Sequence, residues 1–252
     1  MTQPDTMQQT PITQQPLSVA EVGDLWSFVH GDIMVGGIRQ QLRESLGLCP
    51  RHTWGYAAVE IELWQYGAGS RHGHQPFDVG VLYGDLLSDV ASALEHAAGH
   101  PRRVRHALTP RGLCRVCRDA AAENRPPGLG YAGSDSEALT REANTLRYTV
   151  QWCRETSPMW MDRVCPTCSG TNADPSSLCR RHLLAAEPDA ETTASVARRL
   201  RGLQAHLRRL VDSMTQDGEP ATGEDDASWI ETLGWFAGWE VPLQLATATD
   251  AA

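Results

Sequence analysis

Lysine is absent from this chain: of its 252 residues the 22 basic ones are all arginine. That excludes chemistry built on a lysine amine, such as a Schiff base to pyridoxal phosphate or a Walker-type lysine on a phosphate. Long apolar runs are absent too. No stretch approaches the ~20 residues that cross a bilayer, so a soluble protein with no membrane partner is expected. The opening MTQPDTMQQTPITQQPLS has neither a basic n-region nor an apolar h-region, so no export is expected either. The expected location is the cytoplasm, where thiols stay reduced and disulfides are rare. Basic excess is likewise missing. A formal charge of −9 disfavours a general nucleic-acid binder.

What the chain does have is cysteine and histidine at one repeated spacing. Six of its seven cysteines and two of its histidines form four pairs: Cys49-x2-His52, Cys114-x2-Cys117, Cys165-x2-Cys168 and Cys179-x2-His182. Two intervening residues let a tight turn, or the first turn of a helix, aim two donors at one cation. Cysteine is often a small core residue, but scattered core cysteines would not repeat a spacing. Metal ligation is therefore preferred to core packing. Histidine in two of the four pairs favours Zn2+, with an iron–sulfur cluster, which mostly takes thiolates throughout, as the alternative. Cys153 has no partner at ligand spacing and reads as a core residue.

Eight ligands suffice for two closed sites. Only ten residues separate Cys168 from Cys179, with turn formers between them and an apolar helix start after. Cys165, Cys168, Cys179 and His182 therefore make a self-sufficient Cys3His zinc site. By elimination Cys49, His52, Cys114 and Cys117 form the second, across a gap of 61 residues. The alternative exchanges partners, joining Cys114 and Cys117 to Cys179 and His182.

The expected fold class is mostly α, a helical protein with two related units of zinc knuckle and helix. Ile38, Leu42 and Leu46 recur at helical spacing ahead of Gly47, a natural C-cap. Pro50 suits the first position of a helix to about Tyr66, which puts Cys49 and His52 at its N-terminus. A further helix is expected from about Phe77 to Ala98, and helical periodicity over Leu139, Ala143, Leu146 and Val150. The segment of about 190–215 carries Val196, Leu200, Leu203, Leu207, Leu210 and Met214, a seam read as packing within the chain in preference to a homodimer interface. Its sequel is an acidic loop (Asp217, Glu219, Glu224, Asp225, Asp226). A short aromatic helix with Trp229, Leu233 and Phe236 then docks on the core. The expected divisions are a disordered tail at 1–18, a first helical unit at 19–100, a cysteine-rich second unit at 101–215, and the acidic loop and aromatic helix at 216–252. Residues 124–136 read as a loop.

GLCPRH at 47–52 is echoed by SLCRRH at 177–182, and GLCRVCR at 112–118 opens the second unit. With LRESLGLCPRHTW, VGVLYGDLL and SWIETLGWFAGW, these segments make the chain similar to a bacterial, actinobacterial-type family of unknown function. Its members repeat a unit of Cys-x2-Cys, a helix, then Gly-x-Cys-x2-His. The chain departs from that pattern in having no cysteine before Cys49 and an extra pair, Cys165 and Cys168. The resemblance implies metal-binding helical units and no particular activity.

Three functions follow for weighing. The favoured one is a non-enzymatic binding or regulatory protein with structural zinc and a protein or small-molecule partner. The alternative is a zinc metalloenzyme with an open position near Cys49 and His52, for which His72, His74, His96 and His100 offer imidazoles. Blander readings exist for these four: a polar surface loop, and a solvated helix end favoured by the dipole. The third is a regulator touching nucleic acid through Arg102–Arg118 or the Arg198–Arg209 face, against which the acidity stands.

Overall fold

Helix starts are written clearly into this chain by proline and capping side chains, and the computed structural model follows them. It describes residues 10–67, 76–120, 135–171 and 175–247, and every extended element among these is helical, with no strand. In chain order the helices are α1 (Val19–Val29), α2 (Gly36–Glu44), α3 (Pro50–Tyr66), α4 (Phe77–Ala97), α5 (Pro101–Leu108), α6 (Arg115–Ala120), α7 (Ser136–Ala143), α8 (Arg147–Glu155), α9 (Ser157–Trp160), α10 (Pro166–Ser169), α11 (Arg180–Ala186), α12 (Ala190–Ser213), α13 (Gly223–Ala237) and α14 (Glu240–Thr247). Pro50 and Pro101 sit in the first turn of α3 and α5, where a missing N–H costs nothing. Ser18 with Glu21 and Thr222 with Asp225 form capping boxes at α1 and α13. No described helix is long and apolar enough to cross a membrane.

Two helices form the interior. In α3 every residue from Arg51 to Leu63 is buried, and in α13 every residue from Ala227 to Phe236. A helix buried on all sides needs apolar side chains all round, or polar ones with partners inside. The partners are there. Glu60 accepts hydrogen bonds from the backbone N–H of Asp78 (2.8 Å) and Val79 (2.9 Å), and Glu62 from Thr149 N (2.8 Å). These carboxylates cap the starts of α4 and α8, neither of which has a side-chain cap of its own. Trp54 meets Trp229 edge to face at 6.2 Å and donates to Gly238 O, which locks the two central helices together.

The seam of α12 is used inside the chain. Val196, Leu200, Leu203, Leu207 and Leu210 are buried, and α12 packs along α4. The approach is close: a Cβ on Gly80 would lie 2.7 Å from Val211 Cγ2. One buried cluster runs from Ile12 to Leu245, so the segments 19–100, 101–215 and 216–252 share a core.

Several expectations change. The tail of 1–18 is packed from residue 10 onward, with Ile12 and Leu17 buried, while residues 1–9 lie outside the described residues. The periodicity from Leu139 to Val150 is broken between α7 and α8, where Leu146 takes a left-handed φ of 54°. Glu224, Asp225 and Asp226 are not in a loop but in the first turn of α13, where acidic side chains favour the helix dipole. The aromatic helix is central, not docked by one face. The spacing of His96 and His100 suggests i and i+4 on one helix, but α4 stops at Ala97 and His100 occupies the N-cap position of α5 without a side-chain cap bond. His72, His74 and most of the loop at 124–136 lie outside the described residues.

Candidate metal centres

Each of the four pairs opens a helix. Cys49, Cys114, Cys165 and Cys179 immediately precede α3, α6, α10 and α11, and the second member of each pair falls in the first turn. Cys49 and Cys179 have nearly the same backbone, φ −67° and ψ 164° against φ −71° and ψ 164°. A helix N-terminus favours a thiolate over a thiol.

The first centre brings together Cys49, His52, Cys114 and Cys117, and the second Cys165, Cys168, Cys179 and His182. In the first, His52 Nδ1 lies 3.2 Å from Cys49 Sγ, 3.4 Å from Cys114 Sγ and 3.3 Å from Cys117 Sγ. In the second, His182 Nδ1 lies 3.3, 3.4 and 3.3 Å from the sulfurs of Cys165, Cys168 and Cys179. Sulfur pairs are 3.7 Å apart (Cys49 and Cys117) and 3.9 Å apart (Cys168 and Cys179). A tetrahedral zinc with ordinary bond lengths demands about 3.8 Å between thiolates and about 3.6 Å between thiolate and imidazole nitrogen. Both sets fit. The exchanged grouping, Cys114 and Cys117 with Cys179 and His182, does not occur. All the cysteines are free of disulfides, and Cys153 is buried apart from both centres, its thiol pushed up to about 12 by burial.

The chain builds the first centre from distant parts. α2 ends as Gly47 N bonds back to Leu42 O at 2.7 Å, and Gly47 turns the chain at φ 87° with the Tyr83 ring against it. Tyr83 Oη accepts from Leu48 N (3.3 Å) and bonds Thr53 Oγ1 (2.7 Å), bracing the turn that delivers Cys49. The knuckle is steered by Gln41, whose side-chain oxygen accepts from Arg115 (2.8 Å) and Arg118 (2.9 Å), while Arg111 N donates to Glu44 O at 2.7 Å. The second centre is local. Cys165 O accepts from Cys168 N (2.9 Å) and Ser169 N (3.0 Å), Gly170 turns at φ 70°, and α11 follows. Arg180 anchors it to the core by donating to Phe236 O (3.1 Å) and Leu108 O (3.0 Å).

A residue absent from the sequence argument completes the first centre. Glu21 accepts from His52 Nε2 at 2.8 Å, so the imidazole presents Nδ1 to the sulfurs. The same carboxylate takes Arg51 Nε at 2.7 Å and Arg51 Nη2 at 3.2 Å, all with side chains almost fully buried. Burial works to raise the Glu21 pKa, but hydrogen bonds from His52, Arg51 and Ser18 outweigh it and hold the carboxylate well below its usual range. The only sequence signal for Glu21 is the Ser18-x2-Glu21 capping box, which points to a helix start and not to a metal. No described residue bonds Nε2 of His182.

Three thiols this close cannot all ionise unaided. Hydrogen bonds from Cys117 and Cys49 drive the Cys114 pKa far down, and those with Cys114 and Cys117 drive Cys49 far up. A divalent cation ends that competition by binding every sulfur as thiolate. A cleft of about 700 Å³ reaches from Pro50, beside Cys49, to Cys168, with Arg181, Trp239, Leu243 and Gln244 along it.

Comparison with protein families, with curated proteins and with solved structures finds no match to this chain.

Proposed function

We propose that both centres hold Zn2+ as structural Cys3His sites, in a non-enzymatic cytoplasmic protein whose role is binding or regulation. The observation that carries this reading is the ligand count: four protein donors at tetrahedral spacing in each cluster. Structural zinc sites are closed in this way, and each contributes on the order of 10 kcal/mol to folding. A catalytic zinc keeps one position for water. The fourth ligand at Cys49 and His52 therefore counts against the metalloenzyme alternative, and mixed histidine and cysteine ligation against an iron–sulfur cluster.

The cleft between Pro50 and Cys168 supports a small-molecule or protein partner, since concave sites with a few polar groups are where ligands bind. Free cysteines throughout support a reducing compartment. Much of the arginine is already engaged: Arg105 with Glu187, Arg201 with Glu95, Arg209 with Asp225. That weakens the case for a phosphate-binding face. Descent from two related units, of the kind found in the bacterial family, belongs to the same proposal. The near-identical backbone at Cys49 and Cys179 supports it.

Mass spectrometry of the purified protein, native and after denaturation, tests the reading together with thiol alkylation before and after chelation. Two zincs per chain and six protected thiols are expected. One zinc with reactive Cys49 and Cys114 would reopen the enzyme reading, and iron would overturn the assignment.

A further inference from the structure

The segment 10–17 is held to the body by groups that lead back to the first metal centre. Arg51 Nη1 donates to Gln15 O at 2.7 Å and Nη2 to Pro16 O at 2.8 Å, while its Nε and Nη2 also grip Glu21. Glu21 in turn holds His52, a member of the first centre. Farther along, Asn144 clasps Leu17 from both sides, its Oδ1 accepting from Leu17 N (2.7 Å) and its Nδ2 donating to Leu17 O (2.9 Å). The Leu17 side chain fills a notch that exists because residue 55 is glycine: a Cβ there would lie 3.2 Å from Leu17 Cδ2. Thr13 and Gln14 bond Gln244 and Glu240, on the rim of the cleft.

From this chain of contacts we infer that residues 10–17 form a metal-linked clasp: an ion at the first centre favours the docked segment, and the docked segment favours the ion. The inference rests on the zinc reading of that centre. A cation on Nδ1 fixes the His52 ring with Nε2 toward Glu21, which fixes the carboxylate. The carboxylate orients the buried guanidinium, whose remaining N–H groups find their partners, among the described residues, in the segment's carbonyls. Coupling of this kind is reciprocal by thermodynamic necessity. Among the described residues no such relay stands behind His182, so the second centre serves as an internal control.

The test uses the full-length zinc-loaded chain. In one arm, L17A/N144A loosens the segment without touching Glu21, Arg51 or any ligand. Alkylation of Cys49, Cys114 and Cys117 under a competing chelator should then speed up about tenfold, with Cys165, Cys168 and Cys179 unchanged. An unchanged rate at the first centre, or equal acceleration at both, overturns the inference. In the other arm, Glu21→Gln removes no atom that touches residues 10–17, but it replaces one of the two oxygens that accept from His52, Arg51 and Ser18 with an N–H donor and so weakens the relay. Hydrogen exchange at residues 12–15 and 17 should rise about tenfold while α4 and α12 keep their protection. A segment that stays protected overturns the clasp. Failure to find zinc at all would instead sink the underlying assignment, and the metal count reports that separately.

Discussion

The two centres use the same ligands at the same spacing, yet their parts come in opposite order. In the second, the knuckle precedes the helix-borne pair by ten residues; in the first it follows by 61. The farthest bonded ligands are 17 positions apart in one and 68 in the other. Four times the span is two doublings of loop length, about 1.2 kcal/mol of extra closure entropy. That is small beside the energy of a zinc site. Distance along the chain is thus cheap for a metal clamp, and what separates the centres is what each one joins. The second staples 163–186 into a local unit, and the first fastens α3, the most buried helix, to α6 and, through Glu21, to α1.

Ligand substitutions break this comparison most directly. Cys114→Ser should remove on the order of 10 kcal/mol and abolish cooperative unfolding, seen as loss of far-ultraviolet helical signal. Cys168→Ser should release chiefly residues 163–186, seen as lost hydrogen-exchange protection there while α4 and α12 remain folded. A Cys168→Ser chain with undiminished structure throughout would refute a structural second centre. Equal damage from both substitutions would erase the difference between them.

Carboxylates near the two centres differ as well. Glu21 is held ionised, whereas burial pushes Glu231 up from 4.5 to about 7 despite Arg163 and Arg199, with Asp162 adding to the rise. Because the folded state binds this proton more tightly than the unfolded one, its contribution is complete below pH 4.5 and is lost as pH rises through about 7. Subtracting the denaturation curve of Glu231→Gln from that of the native chain should reveal a decline on the order of 3 kcal/mol across this window. A flat difference would mean that Glu231 is as well paired as Glu21.

The smallest contrast concerns two turning glycines. Gly47 has φ 87° with Tyr83 atoms 3.0 Å from a built Cβ, whereas Gly170 has φ 70° and open space. Alanine at 47 should cost about 2 kcal/mol and at 170 about 1 kcal/mol, measured as midpoint shifts in urea. Equal shifts would show that the ring of Tyr83 yields freely.

Much of this was legible because the signals were local. Cysteine spacing, Pro50 at a helix start, and the seam of α12 each depend on residues within a few turns of one another. Four features were not. Glu21 is 31 positions from His52, and its capping box already explains a glutamate there. Burial of α13 on all sides depends on what surrounds it, which a single apolar stripe understates. The break at Leu146 needs a left-handed residue that is not glycine, a conformation no composition rule favours. The ordered segment at 10–17 was hidden for a related reason. Its Gln and Pro offer few apolar anchors, and its carbonyls are satisfied by an arginine far along the chain.

The tryptophans of the core make the molecule its own optical reporter. Trp54, Trp160, Trp229, Trp235 and Trp239 are almost entirely shielded, and among the described residues the indole N–H of the last four has no hydrogen-bond partner. Excited indoles in such surroundings have no water to relax against, so the folded chain should emit toward the blue. Trp160 and Trp239 stack at 5.9 Å, and Trp54 and Trp152 both meet Trp229 within 6.2 Å, close enough to pass excitation from ring to ring. Any event that lets solvent reach one of them, loss of an ion or arrival of a ligand in the cleft beside Trp239, would be written in the colour and polarisation of the emitted light.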